Sequence, residues 1–297
     1  MTITYRIHEL TDYINWIYFF HAWGFQPRFA EIGNVHGCDA CRAMWLTDFP
    51  VEDRPKAAEA MQLFKEAQRM LWQLDEDYKV HGVFRLCKAN SKGDNLILDD
   101  DTVFPLLRQQ TVKKPGDPCL CLSDFVRPME QGVADTVGLF ATTVDREMEE
   151  LYENDPYKRM LVHVLAERLA EAAAERLHEQ IRKEFWGYAK DERLTIPQLL
   201  KEEYQGIRPA VGYPSLPDQS VTFLLDELLD MKQIGIHLTE NGMMDPRASV
   251  CGLMFAHPQS RYFAVGKIGE DQLADYASRR GKSLEEMRKF LAANLSE

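Results

Sequence analysis

The segment at residues 205–217 reads Gln-Gly-Ile-Arg-Pro-Ala-Val-Gly-Tyr-Pro-Ser-Leu-Pro. Three prolines and two glycines in thirteen residues exclude a regular helix or a central strand. The segment is therefore predicted to be an extended loop with turns at its glycines. Composition alone favours a proline-stiffened linker. The alternative is a ligand-binding loop, because the single charge, Arg208, carries a planar set of donors suited to a carboxylate.

The composition limits the classes of partner. The 297 residues suffice for one or two domains, with 45% hydrophobic and 28% charged residues. A net charge of −12 argues against nucleic-acid and anionic-membrane partners. The opening Met-Thr-Ile-Thr-Tyr-Arg lacks a signal-peptide core, and no apolar run reaches membrane-spanning length. With six cysteines in so long a chain, we expect reduced thiols and a cytoplasmic protein.

The first half alternates helical and strand patterns. Residues 11–23 predict a short amphipathic helix beginning near Thr11, and residues 55–77 predict a longer one with a broad apolar stripe. Residues 80–86 and 95–98 predict strands joined as a hairpin through Ser-Lys-Gly-Asp at 91–94. The remaining strand candidates are residues 119–122 and 137–142. In the first helix we expect four aromatic residues to be buried: Trp16, Phe19, Phe20 and Trp23.

The cysteine-bearing region allows two interpretations. In one interpretation, the spacing of His36, Cys38 and Cys41 begins a zinc site that Cys119 and Cys121 complete. Alternatively, Cys119 and Cys121 lie on one face of a strand as small buried residues. We favour the second interpretation and predict free thiols without a metal site.

The second half is dominated by a long helix. Asp155-Pro156 provides an N-cap and a proline at the first helical position, and the helix is expected to reach about Trp186. Arg168, Glu171 and Glu175 share one of its faces. They form either a self-contained ion-pair cluster or the wall behind the 205–217 loop.

The rest of the chain predicts smaller elements. Residues 223–231 form a helix, and strands at 250–256 and 262–266 flank a turn, in which His257 is structural. A helix at 270–280 ends at Gly281, and Ser283 begins the last helix. No linker divides the chain, so we predict one α+β domain over residues 1–297, with a mainly antiparallel twisted sheet, β-hairpins and a long central helix.

The motif Arg-Pro-Ala-x-Gly-Tyr-Pro at 208–214 resembles the centre of the activation domain of cobalamin-dependent methionine synthase, the module that binds S-adenosylmethionine. The resemblance is dense over residues 155–295 and thinner over 13–142. It is carried by an ordered series of further segments: Lys-Glu-Phe-Trp-Gly-Tyr at 183–188, Leu-Thr-Glu at 238–240, Ala-Ser-Val at 248–250, Phe-Ala-His-Pro at 255–258, Asp-Gln at 271–272 and Asp-Tyr-Ala at 275–277.

The resemblance implies a site for S-adenosylmethionine. Arg208 would take the ligand carboxylate, and the backbone at Pro209 and Ala210 would face the adenine or ribose. Tyr262 would pack on the adenine or face the sulfonium, although plain core packing is the alternative for this residue. The implied binding residues are Asn15, Glu202, Arg208, Pro209, Ala210, Gly212, Tyr213, Tyr262 and Phe263. No catalytic side chain is expected, because cobalt is the nucleophile and the chain has no nucleophile–base signature.

The resemblance also implies partners. The family couples reduction of cobalamin by an electron donor, for which a flavodoxin-like protein is the candidate, to methylation by S-adenosylmethionine. No Asp-x-His-x-x-Gly cobalamin motif is present, so a separate methionine synthase would carry the cobalamin. Asn15 and Phe263 replace a family aspartate and tyrosine, and residues 216–222 lack a family histidine and an acidic–basic pair. The alternatives are a non-catalytic binding or regulatory protein that kept the fold without the cofactor, and a reactivator of another corrinoid methyltransferase.

Overall fold

A computed structural model describes residues 1–112 and 114–296. Its helices are α1 (Trp16–Ala22), α2 (Asp39–Thr47), α3 (Arg54–Asp77), α4 (Pro156–Gln180), α5 (Ile196–Leu200), α6 (Val221–Leu229), α7 (Glu270–Arg280) and α8 (Leu284–Phe290). Its strands are β1 (Thr2–Arg6), β2 (Lys79–Lys92), β3 (Asn95–Leu98), β4 (Val103–Pro105), β5 (Asp135–Val144), β6 (His237–Leu238), β7 (Met244–Asp245) and β8 (Ser249–Met254). None of the helices in these two ranges has the length and apolar character needed to span a membrane.

The main sheet is organised around β2. Within the described residues it has six antiparallel strands in the order β4-β3-β2-β5-β8, and β1 also pairs with β2. One edge of β2 pairs with β5, while the other edge is shared by β1 and β3. Lys92 pairs with Asn95, so β2 and β3 form the hairpin that the turn residues predicted.

Helices cover both faces of this sheet. On one face, Ala174 and Leu177 of α4 pack in a cluster with Phe84, Phe140 and Met254. On the other face, α6 contributes Leu225 and Leu229 to a cluster that includes Val83, Leu139 and Leu253 from the strands. Eight consecutive residues of β5 are buried, as expected for a strand that is covered on both sides. The α+β class with a mainly antiparallel sheet is confirmed.

The long helix is confirmed from its first turn. Asp155 accepts a hydrogen bond from the Lys158 N–H at 3.1 Å, and Pro156 occupies the first position. After Gln180 the backbone continues as a π-helical turn at Ile181–Phe185, which extends the helix almost to the predicted end. Such turns occur often beside functional sites.

The strand predicted at residues 119–122 is wrong. A 3₁₀ turn begins at Leu122, Cys121 is buried and Cys119 is only half-buried, so the two cysteines do not share a strand face. The Arg108 guanidinium explains the difference, because it donates to the Cys119 carbonyl at 2.7 Å and to both oxygens of Asp124. Backbone pairing is limited to an isolated antiparallel bridge between Arg108 and Cys121, and the polar network holds the rest of the segment.

Two further predictions need correction. Residues 262–266 are irregular rather than a strand, so the second predicted hairpin is absent from this segment. The helix predicted over 11–23 is interrupted, since a 3₁₀ turn at Thr11–Tyr13 precedes α1. Phe19 and Phe20 are buried as expected, whereas Trp16 and Trp23 are half-buried.

Candidate functional site

The proline-rich loop lies along the outer edge of β8. Ile207 and Phe255 exchange two backbone hydrogen bonds of 2.9 Å, and Pro209 accepts one from the Leu253 N–H at 3.0 Å. The Val211 N–H donates to Cys251 at 2.9 Å. Proline has no N–H to donate, but at a sheet edge its carbonyl alone can accept a hydrogen bond from the neighbouring strand. The segment is therefore not a free linker but a short edge strand of irregular backbone.

Two glycines make this close approach possible. A Cβ on Gly252 would lie 2.2 Å from the Pro209 carbonyl oxygen and 2.8 Å from the Ala210 Cα. A Cβ on Gly206, whose φ is +98°, would lie 2.4 Å from the Phe255 carbonyl oxygen. Both distances are shorter than van der Waals contact, so larger residues would displace the loop from the strand.

Pairing with β8 turns Arg208 towards α4. Its Nη2 donates to Glu175 Oε2 at 3.0 Å, and its Nη1 lies 4.0 Å from Glu171 Oε2. The side chains of Arg208 and Glu175 are 11% and 8% exposed, so this ion pair is almost dry. A buried charge needs such a partner. Glu171 and Glu175 thus form the wall behind the loop, as one of the two sequence interpretations proposed.

Two tyrosines complete the contacts of the loop. The Tyr213 hydroxyl donates to the Glu171 carboxylate. The backbone N–H of Arg208 donates to the Tyr262 hydroxyl at 2.9 Å. Tyr262 keeps 37% of its surface exposed, so it holds the loop rather than packing in the core. Gly212, with φ of +87°, turns the chain just before Tyr213. We call Arg208, Glu171, Glu175, Glu202, Tyr213 and Tyr262 the Arg208 group.

Glu202 lies beside this group in an unusual backbone conformation, with φ of +59°. Partial desolvation raises the pKa of its carboxyl, Arg208 opposes the shift, and the Glu175 carboxylate adds to it. The Arg208 group therefore contains three carboxyl groups and one guanidinium. Such a site favours a ligand with surplus positive charge.

At Pro209 and Ala210, the backbone offers one donor that has no partner among the described residues. The Pro209 carbonyl accepts from Leu253, and the Ala210 carbonyl accepts from the Tyr213 N–H at 3.2 Å. The Ala210 N–H has no hydrogen bond to any residue that the structure describes. Of the backbone groups proposed at Pro209 and Ala210, this amide is the one that can bind a ligand acceptor.

A buried polar cluster supports the start of the loop. Arg182 is fully buried, forms two hydrogen bonds of 3.0 and 2.7 Å with Glu192, and places its guanidinium 4.0 Å from the Tyr204 ring centre. His178 packs edge-on against the same ring at 4.9 Å. Burial, reinforced by Arg182 and Arg208, holds the pKa of His178 well below its usual range.

The end of the loop is fixed by Asp218. This buried carboxylate accepts hydrogen bonds from the Ser220 hydroxyl at 2.8 Å and the Tyr276 hydroxyl at 2.8 Å. Arg280 lies 3.5 Å away, and both Tyr276 and Arg280 belong to α7. The Asp-Tyr-Ala segment of α7 therefore holds the loop in place.

Asn15 occupies a different position. It is the N-cap of α1, and its Oδ1 accepts from the Ile17 N–H at 3.1 Å. It lines a cleft of about 640 Å³ together with Asp12, Trp16 and Lys201, among other residues; we call this the Asn15 cleft. No described residue links Asn15 to the Arg208 group by a hydrogen bond or ion pair, although Lys201 directly precedes Glu202.

Phe263 also lies apart from the Arg208 group. Its ring is half-buried and packs 6.4 Å from the ring of Phe125, among the core residues beside α6 and α7. The structure thus brings together six of the predicted residues, with Glu202 beside them: Arg208, Pro209, Ala210, Gly212, Tyr213 and Tyr262. Asn15 and Phe263 lie apart from them.

Sequence reasoning did not identify Tyr204, His178 or Arg182. Glu175, His178 and Arg182 follow one another at helical spacing, so a polar stripe on α4 was the available signal. Arg168, which that stripe would also include, lies 3.9 Å from Glu167 and 5.8 Å from the ring of Tyr18.

Comparisons with known proteins identify the family and the fold. Residues 6–281 match the family described as vitamin B12 dependent methionine synthase, activation domain. The chain is also similar to a structure described as the MetH reactivation domain bound to AdoHcy, with a TM-score of 0.88 and 39% sequence identity. That similarity covers 100% of this chain and 90% of the other. The chain belongs to the family of vitamin B12-dependent methionine synthase activation domains.

Proposed function

We propose that this chain binds S-adenosylmethionine at the Arg208 group and supports reductive remethylation of cobalamin held on a separate methionine synthase. The observation that carries the proposal is the pairing of the Arg-Pro-Ala-x-Gly-Tyr-Pro loop with the edge of β8, which brings Arg208 against Glu175. A related reactivation domain, 39% identical, is described as bound to AdoHcy, which is what remains of S-adenosylmethionine after its methyl group has left.

The charges of the ligand suit the Arg208 group. S-Adenosylmethionine carries a positive sulfonium, a positive ammonium and one carboxylate. Arg208 can attract the carboxylate through the guanidinium N–H groups that Glu175 does not use, while Glu171 and Glu202 attract the positive groups. The Ala210 N–H is available to an acceptor on the adenine or ribose. Tyr213, 49% exposed, offers a ring face to the sulfonium.

The residues of this chain bind and orient rather than react. The ligand supplies an electrophilic methyl group, and the reduced cobalt of cobalamin is the nucleophile. The protein holds the methyl donor in one orientation, because the loop is fixed to β8 at one end and to α7 through Asp218 at the other. We place the whole of residues 1–297 in one domain, acting in the cytoplasm with a flavodoxin-like electron donor.

Reconstitution tests this proposal. The chain is mixed with a cobalamin-loaded methionine synthase that lacks its own activation domain, together with S-adenosylmethionine and a reductant. We expect the cob(II)alamin absorption spectrum to be replaced by that of methylated cobalamin only when the chain and the methyl donor are both present. An unchanged spectrum with the complete mixture would contradict the proposal. The same experiment with another corrinoid methyltransferase distinguishes the two kinds of partner.

One observation favours the rival function of a binding or regulatory protein without cofactor. The Asn15 side-chain oxygen already caps α1, so it serves the helix whether or not a ligand is present. Phe263, which replaces a family tyrosine, is half-buried and packs against the core. Binding of S-adenosylmethionine by the isolated chain separates this rival from the main proposal.

A further inference from the structure

Cys38 and Cys41 form a pair of thiols at the N-terminus of α2. Cys38 is the N-cap residue, and its Sγ accepts a hydrogen bond from the Cys41 N–H at 3.3 Å. The ligand atoms of His36, Cys38 and Cys41 all lie within 4.8 Å of one another. Cys38 is exposed, Cys41 is half-buried, and both thiols are free. Residues three apart in a first helical turn lie at a separation that a disulfide can bridge.

The two thiols differ in reactivity. Hydrogen bonds from the Cys41 thiol, the His36 ring and the Cys41 N–H lower the pKa of Cys38 to about 7. The neighbouring Cys38 sulfur raises the pKa of Cys41. An exposed thiolate beside a second, protonated thiol is the arrangement of an attacking and a resolving cysteine.

A groove of about 470 Å³ adjoins this pair, since Asp39 and Arg42 of α2 form one of its sides. Its charged lining consists of Arg42, Lys65 and Arg69 against the single carboxylate of Asp39. The side chain of Trp72, 72% exposed, lies in the same groove. In a chain of net charge −12, this local excess of positive charge favours an anionic partner.

The same geometry is less suited to zinc. A structural zinc ion takes four protein ligands, and this group offers three. Among the residues that the structure describes, no fourth histidine, cysteine or carboxylate joins them, and Cys119 and Cys121 lie elsewhere. The absence of a metal remains a prediction, and the geometry of the pair favours a different use.

We propose that Cys38 and Cys41 are a thiol–disulfide exchange site for an anionic small disulfide such as glutathione disulfide. The Cys38 thiolate attacks one sulfur of the disulfide, its S–S bond breaks, and one glutathione leaves as a thiolate. Cys41 then loses its proton to solvent and attacks Cys38 Sγ, which releases the second glutathione. The protein gains one disulfide as two cysteines lose two electrons and two protons, and the glutathione disulfide is reduced to two thiols.

Mass spectrometry of the whole chain tests the exchange. After reaction with excess glutathione disulfide and acid quenching, we expect the wild type to lose the mass of two hydrogens, with the bond mapped to Cys38 and Cys41. Cys41→Ser should instead retain glutathione on Cys38, because the resolving thiol is gone. Cys119→Ser is the matched control and should behave as the wild type. A glutathione adduct that persists on wild-type Cys38, or no reaction there, overturns the proposal.

The choice of an anionic disulfide has its own test. Arg42→Gln should slow the reaction with glutathione disulfide several-fold at low salt and leave the rate with neutral hydroxyethyl disulfide unchanged. Equal slowing with both reagents would remove the charge preference.

Elemental analysis of the purified chain completes the experiment, since stoichiometric zinc that disappears in a Cys38→Ser/Cys41→Ser variant would overturn the exchange site.

Discussion

The Arg208 group and the Asn15 cleft both lie where a ligand is proposed, but they are built differently. Arg208 and Glu175 are 11% and 8% exposed, and each neutralises the other. Asn15 is half-buried at a helix end and bonds only to the backbone two residues away. A buried ion pair cannot lose one member without disturbing the fold. A helix cap can be exchanged for another polar cap with little effect on folding. Sequence changes in the cleft can therefore alter ligand affinity separately from stability, whereas changes in the Arg208 group cannot.

The largest effect is expected for Arg208→Ala. The change leaves the Glu175 carboxylate buried without its cation, which should lower the free energy of unfolding by about 3–5 kcal/mol. Chemical denaturation measures this quantity. Arg146→Ala is the matched control, because Arg146 is 59% exposed and its ion pairs are long. We expect that control to change stability by less than about 1 kcal/mol. Equal effects of the two variants would remove the distinction between the two regions.

A smaller effect is expected for Gly252→Ala. The added methyl group would meet the Pro209 carbonyl oxygen at 2.2 Å and push the loop away from β8. Overpacking of this kind should destabilise the chain by about 1–3 kcal/mol and also weaken binding of S-adenosylmethionine. Gly37→Ala serves as the control, because an added Cβ there would lie 3.8 Å from the end of the Arg42 side chain. Normal stability and binding in Gly252→Ala would contradict the close pairing of loop and strand.

Asn15→Asp tests whether the Asn15 cleft contributes to ligand affinity independently of stability. Aspartate caps a helix as well as asparagine, so stability should hardly change. If the side chain also faces the ligand ammonium, the added charge should strengthen binding by about 1–2 kcal/mol, which is about five- to thirty-fold in affinity. The gain should shrink as pH falls through the pKa of the new carboxylate. Calorimetric titration at two pH values measures it, and equal affinities at neutral pH would remove Asn15 from the site.

His178 gives the Arg208 region a pH dependence. Its folded-state pKa lies well below the ordinary value of 6.5, because the ring is buried beside Arg182 and Arg208. Below about pH 6.5 the unfolded chain binds one more proton than the folded chain. The free energy of unfolding therefore keeps the full contribution of the neutral ring above that pH and decreases as pH falls below it. The slope from this residue should approach about 1.4 kcal/mol per pH unit. His178→Gln should remove that slope in denaturation curves, and His21→Gln, on the exposed surface of α1, should retain it.

Local chemistry explains which elements the sequence predicted well. Asp155-Pro156 fixes the start of α4, Gly281 ends α7, and the turn at Gly93 sets the β2–β3 hairpin. Each signal acts within a few residues. The failed strand at 262–266 had a suitable pattern, but the loop at 207–211 occupies the edge of β8 instead. That competition joins segments far apart in the chain, so no local pattern reveals it.

The residues of the candidate site also fall into those with a local sequence signal and those that only the fold brings together. The family resemblance of the motif at 208–214 implied Arg208, Ala210 and Tyr213 as ligand-binding residues, and that role remains a prediction. Glu175, 33 positions before Arg208, was visible only as a charge on a helical stripe. His178 was visible only as part of the polar stripe on α4, and Tyr204 carries no signal of its own, because its role depends on packing around Arg182. Local motifs locate the loop, whereas the buried contacts behind it require the fold.

Titration of the purified chain with S-adenosylmethionine tests the central claim most directly. We predict saturable binding of one molecule per chain. Arg208→Lys, which keeps the charge but loses the planar set of donors, should bind more weakly, and Arg208→Ala should lose about 2–4 kcal/mol of binding free energy. Circular dichroism of each variant confirms that it is folded under the conditions of the titration. An absence of binding by the wild type, or unchanged affinity in a folded Arg208→Ala variant, would contradict the account.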